Sequence, residues 1–266
     1  MSEFSIAAIA GLVGGITEFL PVSSTGHMIL LEDKLEFHGD LAAALALFIQ
    51  LGAVLAVGFI YREKYRKLIH PGKWFRKPVE FSVWHIVSGI VPTVIVLYLA
   101  QGLMKRQTVS YFTVILGLML GSVLMLLVEK FCQRSKTISL ETMTVRQALL
   151  VGLFQIISLW PGFSQTAPTI SVGLFWGLDR KSAVDFSFMI ALPLMMVEVI
   201  CNLDISWIYL ENADLQVMIA GFAASLAAAY LSASLFLKTI SKSVWVALAY
   251  YRLILAGFSY YYFFGH

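Results

Sequence analysis

Glu18, Ser23, Ser24, Thr25 and His27 crowd around Pro21 in a stretch, EFLPVSSTGHM at 18–28, whose remaining residues are mostly apolar. A carboxylate, an imidazole and hydroxyls at this spacing suit acid–base or nucleophilic chemistry. Glu18 can activate a nucleophile or a water, or hold His27 in one tautomer. His27 can donate to a phosphate or to a leaving oxygen. Ser24 or Ser23 can be a nucleophile if a base lies within hydrogen-bond reach. A second cluster, WPGFSQTAPT at 160–169, brings Gly162, Ser164, Gln165, Thr166 and Thr169 into an equally apolar setting. Helix capping accounts for the hydroxyls. It does not account for Glu18 and His27, because an ionisable group in such surroundings is costly and marks a functional site. Helix N-termini favour anions, so two hydroxyl-bearing turns at the starts of short helices would suit a phosphate.

The elements that must hold these turns are membrane helices. The chain is 59% hydrophobic and only 13% charged, against about 25% charged in an ordinary soluble domain. Residues 41–61, 81–104, 107–128, 147–178 and 215–237 contain no Asp, Glu, Lys or Arg. A membrane span needs about 20 mostly apolar residues. The fold class expected is therefore all-α and polytopic, with about six transmembrane helices, the others at 186–206 and 243–264. The stretch REKYRKLIHPGKWFRK at 62–77 holds seven Lys or Arg in sixteen positions and reads as a cytoplasmic topology determinant. EKFCQRSKTISLETMTVR at 129–146 returns basic charge to the same side, after a hairpin joined by KR at 105–106. A net charge of +3 carried beside spans gives no reason to expect nucleic acid. No cleavable signal peptide is expected at MSEF, and Cys132 and Cys201 suggest neither a disulfide framework nor a metal spacing.

Residues 147–178 are too long for one straight crossing and are interrupted by Pro161, Gly162 and Pro168, so two half-helices meeting at a turn are expected. The N-terminal region has the same layout around Pro21. Aligning Pro21 with Pro161 pairs Ser24 with Ser164, and paired broken segments point to an internal repeat with its site at the repeat interface. The expected architecture is one membrane domain over 1–266. It is an inverted repeat, about 1–130 and about 145–266, with two re-entrant helix pairs.

Other polar residues have structural readings. Gln50 and Gln155 would cross-bond helices, His85 would sit at the interface, and Glu198 would pair with Arg252 inside the bundle. The tyrosines at 260–262 look like interface anchors, and GLMLG at 116–120 is a close-packing signal.

GGITEFLPVSSTGHMIL at 14–30, IQLGAVLAV at 49–57, WPGFSQTAPTISVG at 160–173 and DFSFMIALPLMM at 185–196, in that order, resemble the undecaprenyl-diphosphate phosphatase family, and the likeness extends to YRL at 251–253. The resemblance implies a multi-pass enzyme of the bacterial cytoplasmic membrane. Such an enzyme removes the terminal phosphate of a polyprenyl diphosphate so that the lipid carrier is reused in peptidoglycan synthesis, an activity associated with bacitracin resistance. It further implies a polyprenyl (di)phosphate lipid and the bilayer as partners, and it admits a homodimer. By position, Glu18, Ser23, Ser24 and His27 match the first catalytic motif, and Ser164 and Thr169 match hydroxyls of a phosphate loop resembling PGxSRSGxT.

The chain departs from that pattern. Gly14 stands where the family generally has Glu or Gln, Ala46 where an acidic residue is common, and Gln165 where the loop has arginine; TAPT replaces SGAT. An arginine would neutralise phosphate and offer a rigid fork of donors, whereas glutamine offers two donors and no charge. Losing such a clamp costs several kcal/mol of transition-state stabilisation. Three readings follow: a phosphatase with compensating residues or a Mg²⁺ or Ca²⁺ ion, a catalytically silent relative that binds or transports a lipid phosphate, or an enzyme for another anionic lipid. Arg180 and Lys181 are candidates for the lost charge, expected at the interface and outside the pocket.

Overall fold

The computed structural model describes residues 1–69, 81–104, 110–132, 138–202 and 212–265. Residues 70–77 of the basic stretch, the pair at 105–106, residues 133–137 and 203–206 and the side chain of Cys201 lie outside the described residues. Within them the chain is all-α, with one isolated bridge between Ile138 and Leu178. Its helices are α1 (Glu3–Glu18), α2 (Ser24–Leu35), α3 (Asp40–Ile69), α4 (Val83–Met104), α5 (Tyr111–Phe131), α6 (Val145–Gln155), α7 (Thr166–Phe175), α8 (Arg180–Asn202), α9 (Asn212–Thr239) and α10 (Lys242–Phe264).

Among the described residues, five helices (α3, α4, α5, α8 and α9) are long and apolar enough to cross a membrane. The sixth expected span is α10. It has the length, at 23 residues, but Arg252 and five tyrosines dilute its apolar character. By contrast α1, α2, α6 and α7 have 16, 12, 11 and 10 residues, too few to cross. They form two broken pairs. Helix α1 ends at Glu18 and α2 starts at Ser24, with Pro21 between; α6 runs into a 3₁₀ turn at Ile156–Leu159, and Pro161 and Gly162 lead to α7. Pro168, expected as a third interruption, instead lies in the first turn of α7, where its missing N–H is not needed.

Ion pairs and tyrosine hydrogen bonds fix which helix ends share a side. Lys64 at the end of α3 meets Asp185 at the start of α8 at 2.7 Å. Arg180 meets Glu129 near the end of α5 at 2.7 Å, and Lys242 at the start of α10 reaches the same carboxylate at 3.9 Å. Asp33 of α2 accepts from Tyr111 at the start of α5 and from Tyr262 near the end of α10, at 3.2 and 3.1 Å. The bundle therefore has a basic end and an opposite end rich in tyrosine and carboxylates. His85, expected at the interface, is fully buried: its Nε2 meets the Met143 carbonyl at 2.9 Å and ties α4 to the segment before α6. The main core, including Phe186, Phe188 and Trp245, is drawn largely from the parts of α3, α5, α8, α9 and α10 nearer the basic end.

Candidate functional site

Each broken pair presents its turn through a strained serine. Ser23 has φ 70° and Ser164 has φ 76°, in the left-handed region that a residue with a Cβ rarely adopts. Such strain persists where the surroundings over-determine it and clusters at functional sites. Both hydroxyls cap the helix that follows. Ser23 Oγ accepts from Gly26 N–H at 3.3 Å, and Ser164 Oγ from Ala167 N–H at 3.4 Å. The structural counterpart of Ser164 is therefore Ser23, one residue before the Ser24 that proline alignment selects, because the second loop carries one residue more between proline and cap.

Arg252 locks the two turns together. Its side chain is fully buried. Nη1 donates to the Pro21 carbonyl at 3.0 Å, and Nη2 faces the carbonyls of Gly117, Gly162 and Phe163 at 3.3, 3.2 and 3.0 Å. One guanidinium thus joins the first turn, the second turn and α5. The expected pair with Glu198 does not form; the backbone oxygens of the turns take the donors instead. Close packing makes this reach possible. A Cβ at Gly117 would overlap the Pro161 carbonyl oxygen, and one at Gly162, where φ is 85°, would overlap that of Val114.

Between the turns lies a cavity of about 360 Å³. Glu18, Ser23 and Ser24 face it from the first turn, Pro161, Gly162, Ser164 and Gln165 from the second, Gln50 from α3 and Glu198 from α8. Ser24 opens α2 six residues after Glu18 closes α1, and both side chains face this cavity. Gln50 Nε2 donates to Glu198 Oε2 at 3.1 Å, the helix cross-bond expected of Gln50. A second cavity, of about 310 Å³, shares Glu18, Ser24, Thr25 and Gln50 with the first and is walled further by Met28, Ile29, Leu47 and Ile49, with Glu32 the added carboxylate. The polar chamber therefore has an annex whose added wall is mostly apolar.

A family model described as bacitracin resistance protein BacA matches residues 7–258. The chain belongs to the BacA family. It is 40% identical over 256 residues to undecaprenyl-diphosphatase 1 of Bacillus thuringiensis, covering 96% of this chain and 97% of that one. Undecaprenyl-diphosphatase of Exiguobacterium sibiricum is 39% identical over 269 residues, with 96% of each chain covered. That of Nitratidesulfovibrio vulgaris is 36% identical over 262 residues, covering 98% and 99%.

Several residues singled out in this BacA-family sequence stand behind the cavity and do not line it. His27 Nδ1 lies 2.8 Å from the Ser23 carbonyl, so that nitrogen carries the proton, and Nε2 meets the Tyr251 hydroxyl at 2.7 Å. The ring props the strained serine from outside. Thr169 Oγ1 pairs with Ser187 Oγ at 2.6 Å, and Thr166 Oγ1 with Ser164 Oγ at 3.3 Å. Gln155 is fully buried and neither of its amide atoms has a hydrogen-bond partner, so its expected cross-bond is not made. Pro21 contributes its carbonyl to Arg252. Gly14 packs so tightly that a Cβ there would lie 2.5 Å from Ile49 Cγ2. Ala46 lines the annex.

The structure adds lining residues that sequence reasoning passed over. Ser158 takes a place in the second turn that Glu18 holds in the first, an equivalence the 140-residue offset already contained. Glu198, a carboxylate inside a span that the sequence alone pairs with Arg252, faces the cavity from α8. Arg180 is committed to Glu129, Lys181 is exposed, and no Lys or Arg lines the cavity among the described residues. Nor do three His, Cys, Asp or Glu side chains gather as metal ligands among them. Mg²⁺ is commonly held by one or two carboxylates together with substrate phosphates, a donor set that Glu18 and Glu198 fit.

Proposed function

We propose that this protein is an undecaprenyl-diphosphate phosphatase of the bacterial cytoplasmic membrane, hydrolysing the lipid diphosphate to the monophosphate so that the carrier is reused in envelope synthesis. The observation that carries the reading is the convergence of Glu18 and Ser24 on one cavity at a capped turn, with Ser164 and Gln165 facing it from a second capped turn. The names of relatives that match nearly the whole chain support the substrate. Ser24 attacks the terminal phosphorus as Glu18 takes the hydroxyl proton. Ser164 and Gln165, with the backbone N–H groups opening α7, hold the phosphate oxygens. His27 supports Ser23 from behind, so its part is to keep the turn in place. The mostly apolar annex suits the first isoprene units. The two broken pairs act as re-entrant halves of an inverted repeat, each entering from its own end of the bundle, and the site lies where they meet.

The test is phosphate release from undecaprenyl and farnesyl diphosphate by protein purified in detergent, with and without Mg²⁺ or Ca²⁺. Glu18→Ala is expected to lower the rate by about 100-fold or more, the usual contribution of a general base. A wild type that binds the lipid and releases no phosphate in any condition would identify a silent binder.

A further inference from the structure

We propose that Tyr251 of α10 is a positioning residue for the attacking serine, acting through His27 on the backbone of the first turn. The inference rests on the phosphatase reading above, in which Ser24 attacks. Tyr251 and His27 stack with ring centroids 5.7 Å apart and planes 16° from parallel, and the Tyr251 hydroxyl lies 2.7 Å from His27 Nε2. On the other side of the imidazole, Nδ1 lies 2.8 Å from the Ser23 carbonyl. A carbonyl only accepts, so Nδ1 carries the proton in that bond, and Nε2 accepts from the tyrosine O–H. Which nitrogen holds the proton is set by the bond the other one makes. The hydroxyl therefore keeps the ring in the single tautomer that can donate to Ser23.

What that bond holds is the plane of one peptide. The Ser23 carbonyl and the Ser24 N–H belong to the same rigid unit, so fixing the oxygen fixes the plane from which Ser24 departs. Ser23 sits at φ 70°, a conformation that residues with a Cβ rarely adopt, so local preference does not hold that plane. Strain alone does not call for such a prop. Ser164 is equally strained, at φ 76°, yet four residues after it, where the first turn has His27, the second has Pro168, which carries no side-chain donor. The strut stands on the turn that carries the nucleophile. Its depth matters too. Tyr251 is exposed and lies near the middle of α10 (Lys242–Phe264), where lipid offers no replacement donor to an imidazole nitrogen. Its neighbour Arg252 donates to the Pro21 carbonyl, so α10 grips the first turn at two carbonyls, one directly and one through His27.

The experiment uses purified wild type, Tyr251→Phe, His27→Ala and the double variant with undecaprenyl diphosphate, comparing kcat, KM and melting temperature. It adds ¹⁵N NMR of histidine-labelled protein, in which the His27 signals are assigned by their loss from His27→Ala. Tyr251→Phe keeps the stacked ring and removes only the hydroxyl. It should lower kcat by about tenfold, the scale of a modest misplacement, with KM within about threefold and melting unchanged. His27 should pass from one tautomer, protonated at Nδ1, to a mixture of the two. In the double variant, Tyr251→Phe should add no loss to that of His27→Ala, because the hydroxyl works only through the imidazole. A tyrosine that touched the substrate or only packed would add its own loss to the double variant and leave the tautomer unmoved. Either result overturns the inference and leaves the phosphatase reading standing. So does a Tyr251→Phe variant with kcat within about twofold of wild type. A wild type that releases no phosphate overturns the phosphatase reading and the inference with it. Should His27→Ala fail to fold, His27→Asn takes its place in both the assignment and the cycle, since its amide can still donate to Ser23 and has no tautomer to set.

Discussion

The Gln165 Nε2 atom is buried and has no hydrogen-bond partner, in a side chain that lines the cavity beside Ser164. An unmade hydrogen bond of this kind costs about 1–3 kcal/mol, and a phosphate oxygen arriving within reach would recover it. The amide is therefore a usable clamp, though an uncharged one. An arginine there would add a full charge and a rigid pair of donors to a cavity that no Lys or Arg lines among the described residues. Gln165→Arg is expected to raise kcat/KM for undecaprenyl diphosphate by about tenfold, a modest part of what a guanidinium contributes to phosphoryl transfer. Steady-state phosphate release checks it, and an unchanged kcat/KM would place the terminal phosphate away from residue 165. The same substitution was legible as a departure from the family pattern. Its physical setting, an orphaned donor inside the cavity, was not, because sequence does not record which amide atoms find partners.

Four short helices can hold a site only if something fixes their turns against each other, and Arg252 does so from α10. Replacing it with Met removes donors to four carbonyls and unties the two turns from each other. A hydrogen bond from a charged donor contributes about 1.5–3 kcal/mol, and Arg252 makes its bonds to buried carbonyls. Arg252→Met should therefore lower the melting temperature in detergent markedly and abolish phosphate release, while Arg252→Lys, with its charge kept but no planar fork, should recover part of the stability and less of the activity. Equal melting temperatures for wild type and Arg252→Met would show that the turns need no such tie. The broken helices themselves were legible, since Pro21, Pro161 and Gly162 interrupt apolar runs in a way no straight span tolerates. The tie was not. An arginine in a span invites a carboxylate partner, and Glu198 offered one; only the fold reveals that carbonyls of two turns lie nearer. His85 misled in the same way, since a histidine at a span start says nothing of the Met143 carbonyl brought to it from 58 residues away.

At the scale of the whole bundle, charge and depth together determine which side the cavity opens to. The basic end gathers Lys64, Arg180 and Lys242, and by the positive-inside tendency that end is expected in the cytoplasm. The cavity sits towards the other end. Gln50 lies ten residues from the start of α3, and Glu198 four residues before the end of α8, both nearer the tyrosine-rich side. Thr25 is exposed and lines both the polar chamber and its annex. A cysteine at 25, in a background where Cys132 and Cys201 are replaced by serine, should therefore react with a membrane-impermeant maleimide added to intact cells. Prior incubation with undecaprenyl diphosphate should slow the reaction, because the headgroup would occupy the chamber. A cysteine replacing Lys242 at the basic end should react only after the cells are opened. If Thr25→Cys is labelled only in opened cells and Lys242→Cys in intact ones, the bundle is inserted the other way and the diphosphate must be taken from the cytoplasmic leaflet. Labelling of both from outside would mean that an aqueous path runs through the bundle, which suits a transporter better than a hydrolase closed at its basic end.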